Sequence, residues 1–165
     1  MSSTAATPSA PDNPALRAIL LGGLLAGLAD FLFATIRAGM AGNSALRPWK
    51  GVASGLLGQT ARDGGVGMAM LGVLLPFFIC VAAAALLYSI VSRVKWIPRQ
   101  WIVLGILYGS AFLVVMNYVI LPLSAIGRGI YPLSQMHINA FWHIVLVGLP
   151  TSFFISRGLK ESATR

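Results

Sequence analysis

One carboxylate, Asp30, lies inside the long apolar stretch 15–36, where a charged group is energetically costly. A carboxyl group within a membrane span costs about 3 kcal/mol on insertion scales unless it is paired, protonated or hydrated. Such a residue is by default a candidate functional residue. Arg37 follows two helical turns later, from where its long side chain can extend outward or reach back towards Asp30.

Four apolar stretches predict the elements that position these residues. The 165 residues are 57% hydrophobic and only 10% charged, whereas soluble domains are about one quarter charged. About 20 consecutive apolar residues cross a bilayer as a helix. We therefore predict an all-α, polytopic transmembrane four-helix bundle with helices at about 15–36, 67–91, 101–121 and 137–155. One transmembrane domain, 15–157, then lies between a disordered tail, 1–14, and a short tail, 158–165.

Helix direction places further polar residues near Asp30. The third helix approaches the side opposite the termini with Asn117 about one turn before its end, and Pro122 is expected to stop it. The fourth helix starts on that side with Asn139 and, one turn later on the same face, His143. At a rise of about 1.5 Å per residue, Asp30, Asn117 and His143 lie at nearly the same depth.

This polar layer has two interpretations. The side chains can hydrogen-bond across helices and fix their packing, at about 0.6 to 2 kcal/mol for each bond. Alternatively, they line a polar cavity open to the side opposite the termini. Asp30 and His143 would there bind a cation, a proton or a small ligand. The sequence favours the structural interpretation, because three residues make a sparse pathway.

The more polar segment 40–65 predicts a short interfacial or re-entrant helix between helices 1 and 2, and the alternative is an irregular loop. Pro48 can open the helix, and Gly64 and Gly65 end it. At helical spacing, one side of this helix carries the apolar residues Trp49, Val52, Leu56 and Leu57. The other side gathers Lys50, Ser54 and Arg62.

Two glycine pairs predict close helix packing. Gly23 and Gly27 lie four apart in helix 1, as do Gly105 and Gly109 in helix 3. Such pairs let another backbone approach closely. In a chain with several spans we favour packing within the chain, and homodimerisation through such a face is the alternative.

The positive charges predict an orientation. With an even number of spans both termini lie on one side, which collects seven basic residues: Arg17, Arg93, Lys95, Arg99, Arg157, Lys160 and Arg165. The opposite side collects five: Arg37, Arg47, Lys50, Arg62 and Arg128. Positive residues favour the cytoplasmic side, so we predict cytoplasmic termini. Basic residues spread over helix ends suit the lipid bilayer and its anionic headgroups rather than a nucleic-acid partner.

No pattern in the chain is typical of an enzyme. Cys80 is the only cysteine, so neither an intrachain disulfide nor a cysteine-based zinc site is expected. His137 and His143 lie six apart on one helix and cannot both ligate one haem. We find neither a nucleophile elbow nor a phosphate loop. The sequence therefore predicts no catalytic residue, no cofactor and no metal.

Several stretches resemble a family of bacterial membrane proteins: GGLLAGLADFLFATIRAG, VASGLLG, LYGSAFLVVMNYVILPLSA and WHIVLVGLP. The chain resembles the uncharacterised, YagU-like inner-membrane proteins from about Leu20 to Arg157. The resemblance implies a four-helix fold in the bacterial inner membrane and brings no established activity. Its matching positions include Asp30, Asn117 and His143.

These observations favour a bacterial inner-membrane protein that acts as a non-catalytic accessory or interaction subunit. Such a subunit would have a homo-oligomer or a membrane complex as its partner. The alternative is a small transporter or an ion- or proton-binding protein that uses the layer around Asp30 and His143.

Overall fold

The computed structural model describes residues 13–94, 100–127 and 131–164. Nearly all of the predicted N-terminal tail lies outside the described residues, as do the basic residues Lys95, Arg99, Arg128 and Arg165.

Four long helices are apolar enough to cross a membrane: α1 (Pro14–Met40), α4 (Val66–Arg93), α5 (Trp101–Leu123) and α6 (Leu133–Ala163). The described residues contain no strand. This confirms the predicted all-α architecture with four spans. Helix α1 begins at Pro14 because the side chain of Asn13 accepts hydrogen bonds from the first free N–H groups, those of Ala15 and Leu16. Helix α6 continues to Ala163, well into the segment predicted as a C-terminal tail.

Helices α5 and α6 each contain a π-helical turn directly before a Leu-Pro pair. The turns are Met116–Ile120, before Pro122, and Ile144–Gly148, before Pro150. Proline lacks an N–H group and clashes with the carbonyl group of the preceding turn, and a wider π turn relieves both problems. The prediction that Pro122 stops the third helix is therefore wrong, since α5 runs through it to Leu123.

The predicted short helix between the first two spans is present as α2 (Arg47–Leu57) and α3 (Gln59–Asp63). They meet at Gly58, whose positive φ of 63° suits glycine. Trp49 is buried, stacks on Phe31 of α1 at 4.9 Å and donates a hydrogen bond to Thr35. The segment is therefore helical and packed on the bundle.

One face of α2 differs from the prediction. Ser54 was expected on the polar side but is buried, and its hydroxyl donates a hydrogen bond to the carbonyl oxygen of Gly51. Helix α2 packs on α4 so closely that a Cβ atom at Gly72 would lie 1.8 Å from the Trp49 carbonyl oxygen. Small residues fit this contact, and a serine hydroxyl satisfied within its own helix can be buried there. The larger Leu56 and Leu57 point away from the bundle and are exposed.

Both glycine pairs pack within the chain. Gly23 and Gly27 face Val81 and Phe77 of α4, and a Cβ atom at Gly23 would lie 2.6 Å from the Val81 Cα atom. In α5, Gly105 faces Leu149 and Gly109 faces Ile144, both in α6. Helix α1 thus packs between α4 and α6, and α5 packs on the other side of α6.

The start of α1 and the end of α6 lie at one end of the bundle, as an even number of spans requires. A Cβ atom at Gly158 of α6 would lie 3.0 Å from the Pro14 carbonyl oxygen, and Arg17 pairs with Glu161. We call this end the terminal end. The opposite end, where α1 ends at Met40 and α6 begins at Leu133, is the loop end.

Candidate functional site

A cavity of about 210 Å³ lies at the loop end between α1, α6 and the connection that precedes α6. Its polar walls come from five residues: Asp30, Arg37, Tyr131, Asn139 and His143. Its apolar walls come from five more: Phe33, Ala34, Trp142, Leu146 and Val147. A single water needs only about 10–15 Å³ of such space, so the cavity has room for several waters or a small solute.

Asp30 contributes the carboxylate of this cavity and is partly buried in the wall formed by α1. Neither of the described ion pairs involves Asp30, and within the described ranges no hydrogen bond reaches it. An uncompensated carboxylate in a membrane span is costly, and water in the cavity lowers this cost. Asp30 is therefore available to a ligand that enters the cavity.

His143 contributes an imidazole from α6, one turn beyond Asn139. Its Nδ1 lies 2.8 Å from the backbone carbonyl oxygen of Asn139, and because a carbonyl only accepts, Nδ1–H is the donor. In the neutral ring this leaves the lone pair on Nε2, the nitrogen that can accept a proton or bind a cation. The ring packs edge-on against Tyr131, with the centroids 6.0 Å apart.

Asn117 holds the connection before α6 in place. It is fully buried in the π turn of α5. Its side-chain amide donates to the carbonyl oxygen of Tyr131 at 3.2 Å, and its Oδ1 atom accepts from the Tyr131 N–H at 3.0 Å. Asn117 therefore positions a residue of the cavity wall without lining the cavity itself.

Arg37 and Asn139 complete the polar wall nearer the loop end. The Arg37 guanidinium lies 5.8 Å from the centre of the Phe33 ring, a cation–π arrangement, and its side chain is exposed. The Asn139 amide donates to the carbonyl oxygen of Gln135 at 2.9 Å. The structure thus brings together four of the five residues singled out in the sequence and places the fifth, Asn117, behind Tyr131.

Tyr131 is the site residue that the sequence did not single out. Burial raises the pKa of its hydroxyl above the ordinary value, and the negative charge of Asp30 raises it further, while Arg37 opposes the shift. The hydroxyl is therefore neutral and available as a hydrogen-bond donor. The amino-acid sequence indicates a role for Tyr131 only weakly, through the position of an aromatic residue just before the fourth predicted helix.

The described residues contain no group of three or more histidine, cysteine, aspartate or glutamate side chains that could hold a metal ion. Asp30 and His143 are one acid and one imidazole on facing walls. Such a pair can bind a cation together or exchange a proton with water.

Comparisons with known proteins find no matching family model, no matching curated protein and no matching solved structure. The resemblance to the YagU-like proteins therefore stays a prediction. The fold itself defines the class of protein: a multi-pass membrane protein with four helical spans and a polar cavity at its loop end.

Proposed function

We propose that the protein binds a small inorganic cation in the loop-end cavity. It would act as a small transporter or an ion-binding membrane protein. One observation carries this proposal: Asp30 and His143, from two different spans, line the same cavity of about 210 Å³. Ionisable residues within membrane spans commonly mark ion or substrate pathways.

The surroundings of Asp30 support a cationic ligand. Arg37 is the nearest candidate counter-ion in sequence, but its guanidinium is stacked over Phe33 and forms no described ion pair with Asp30. A cation near Asp30 would offset the cost of the carboxylate in the span. The imidazole of His143 and the hydroxyl of Tyr131 would supply the remaining polar contacts.

The experiment compares thermal unfolding in lipid nanodiscs containing sodium chloride or an equal concentration of N-methyl-D-glucamine chloride, at about pH 5 and about pH 8. We expect sodium to raise the wild-type midpoint by several degrees at the higher pH, where fewer protons compete with sodium for the cavity. Asp30→Asn and His143→Gln should abolish this increase. Asp63→Asn and His137→Gln are the matched controls, because both residues are exposed outside the cavity, and they should respond as the wild type.

Two outcomes contradict the proposal. One is a wild-type unfolding midpoint that changes neither with sodium nor with pH. The other is an increase that survives in Asp30→Asn, since it would then come from a general salt effect.

The accessory-subunit function is a second proposal. Wide apolar surfaces on all four spans are available to lipid or to a partner span. Both glycine pairs are occupied within the chain, so an interface between copies would have to use other surfaces. Native mass spectrometry after mild solubilisation tests this proposal, and a monomer under every gentle condition would contradict it.

The location in a bacterial inner membrane, with cytoplasmic termini, is likewise a proposal. It is supported by the excess of seven basic residues over five on the side of the termini. Reporter fusions at the C terminus test the orientation, and a periplasmic C terminus would contradict it.

A further inference from the structure

A second cavity, of about 290 Å³, lies at the terminal end between the first turns of α1 and the last turns of α6. Gly158 lets the two helices approach each other there, since a Cβ atom at this position would lie 2.5 Å from the Ala18 Cβ atom. This close approach brings charged side chains from both helices to one groove, which we call the terminal groove.

The terminal groove has a charged outer part and an apolar inner part. Arg17, Arg157 and Glu161 line it near the helix ends. Leu21 and Phe154 line it about one turn deeper, roughly 4.5–6 Å by the helical rise. A phospholipid at a membrane surface has the same order, with a phosphate outside and acyl chains inside.

The described residues that line the groove carry two guanidinium groups, of Arg17 and Arg157, and one carboxylate, of Glu161. Glu161 accepts a hydrogen bond from Arg17 and lies 4.0 Å from Arg157, at the limit of an ion pair. The Arg157 guanidinium is oriented by the Phe153 ring at 5.9 Å, and the side chain is 65% exposed. One carboxylate thus faces two guanidinium groups, and Arg157 is held in place without being neutralised.

We propose that the terminal groove binds the phosphate headgroup of an anionic phospholipid. Arg157 contacts the phosphate, with Arg17 beside it, and an acyl chain lies along Leu21 and Phe154. Arginine suits this role because its planar guanidinium forms paired hydrogen bonds with phosphate oxygens. Glu161 limits the affinity, because its carboxylate competes with the phosphate for both arginines.

The test measures lipid retention by native mass spectrometry after titration with phosphatidylglycerol or phosphatidylcholine. We expect phosphatidylglycerol to bind more tightly than phosphatidylcholine. Arg157→Gln should weaken it about fivefold, as expected for one basic residue at a membrane surface. Glu161→Gln should strengthen it. Arg93→Gln, at the same end but outside the groove, should match the wild type, and Arg157→Lys should lie between the wild type and Arg157→Gln.

Three results would overturn the proposal. The first is equal retention of the two lipids. The second is an equal loss in Arg157→Gln and Arg93→Gln, which would show a general effect of net charge. The third is displacement of the lipid by millimolar inorganic phosphate, which would assign the groove to a free anion.

Discussion

In the terminal half the backbones of α1 and α6 are in close contact beside the terminal groove, whereas in the loop half a cavity lies between the two helices. The buried residues of α1 all precede Asp30: Pro14, Ala18, Gly22, Gly23, Ala26 and Gly27. In α6 the buried residues begin only after His143: Val147, Gly148, Thr151, Ser152, Ile155, Ser156 and Gly158. The same two helices are therefore in close contact in one half and separated by the cavity in the other.

Residue size explains this difference. The terminal half uses glycine, alanine, serine and threonine, which let backbones approach closely in the absence of a hydrophobic driving force. In the loop half the rings of Phe33 and Trp142 pack against each other at a tilt of 37°, with their centroids 4.6 Å apart, and keep the backbones of α1 and α6 apart. We infer that the backbone contacts of the terminal half supply most of the stability, whereas the loop half provides a cavity between the two helices.

The first prediction introduces a Cβ atom where two backbones touch. In Gly148→Ala the new atom would lie 2.2 Å from the Gly105 carbonyl oxygen, and backbone atoms cannot easily move aside. We expect a loss of about 3 kcal/mol in the free energy of unfolding, measured by denaturation in mixed micelles. Gly39→Ala is the control, since nothing lies within 4 Å of its Cβ position, and it should be neutral or slightly stabilising. Equal stability of the two variants would contradict the close packing.

The second prediction concerns the residue that links α5 to the cavity wall. Asn117→Ala removes the hydrogen bonds to Tyr131 and leaves the N–H and C=O groups of Tyr131 without these partners. We expect a loss of about 2 kcal/mol in the same assay. Asn139→Ala, which removes an amide hydrogen bond to Gln135 of the same helix, should cost much less. If the two alanine variants were equally stable, Asn117 would not anchor Tyr131.

The third prediction is a small effect of alkaline pH. Tyr131 has a pKa above its ordinary value of 10.0, so the folded state holds the phenol proton more tightly than the unfolded state. Its contribution to stability is complete below about pH 10 and is lost as the pH rises through the raised pKa. The wild type should therefore lose stability more steeply than Tyr131→Phe in thermal melts above pH 10. Parallel curves would contradict burial of this hydroxyl beside Asp30, and Tyr118→Phe serves as the control outside the cavity.

Much of the fold is predictable because the length of an apolar stretch in the sequence shows directly whether it can cross the bilayer as a helix. The meeting of Asp30, Arg37, Asn139 and His143 is also predictable, because helical rise and alternating direction fix their depth and their end of the bundle. The role of Asn117 does not follow from helical rise and direction. Its depth agrees with the layer, but depth does not reveal that it bonds to the backbone of a connecting segment.

Other features depend on contacts between distant residues. Ser54 is buried because Gly72 lets α2 approach α4, and no periodicity within 40–65 contains that information. Pro122 lies within α5 because a π turn precedes it, and proline more often ends a helix. Gly148 matters only because α5 presents Gly105 opposite it.

Cysteine labelling tests most directly whether the loop half contains a water-accessible cavity. Leu146 lines the cavity, its neighbour Val145 faces outward from the bundle, and the native Cys80 is buried. In sealed vesicles, a membrane-impermeant maleimide applied from the side of the loop end should label Leu146→Cys rapidly. It should leave Val145→Cys and the native Cys80 unlabelled, because lipid and protein shield them. Failure to label Leu146→Cys, or equal labelling of Val145→Cys, would contradict a hydrated cavity that reaches Asp30.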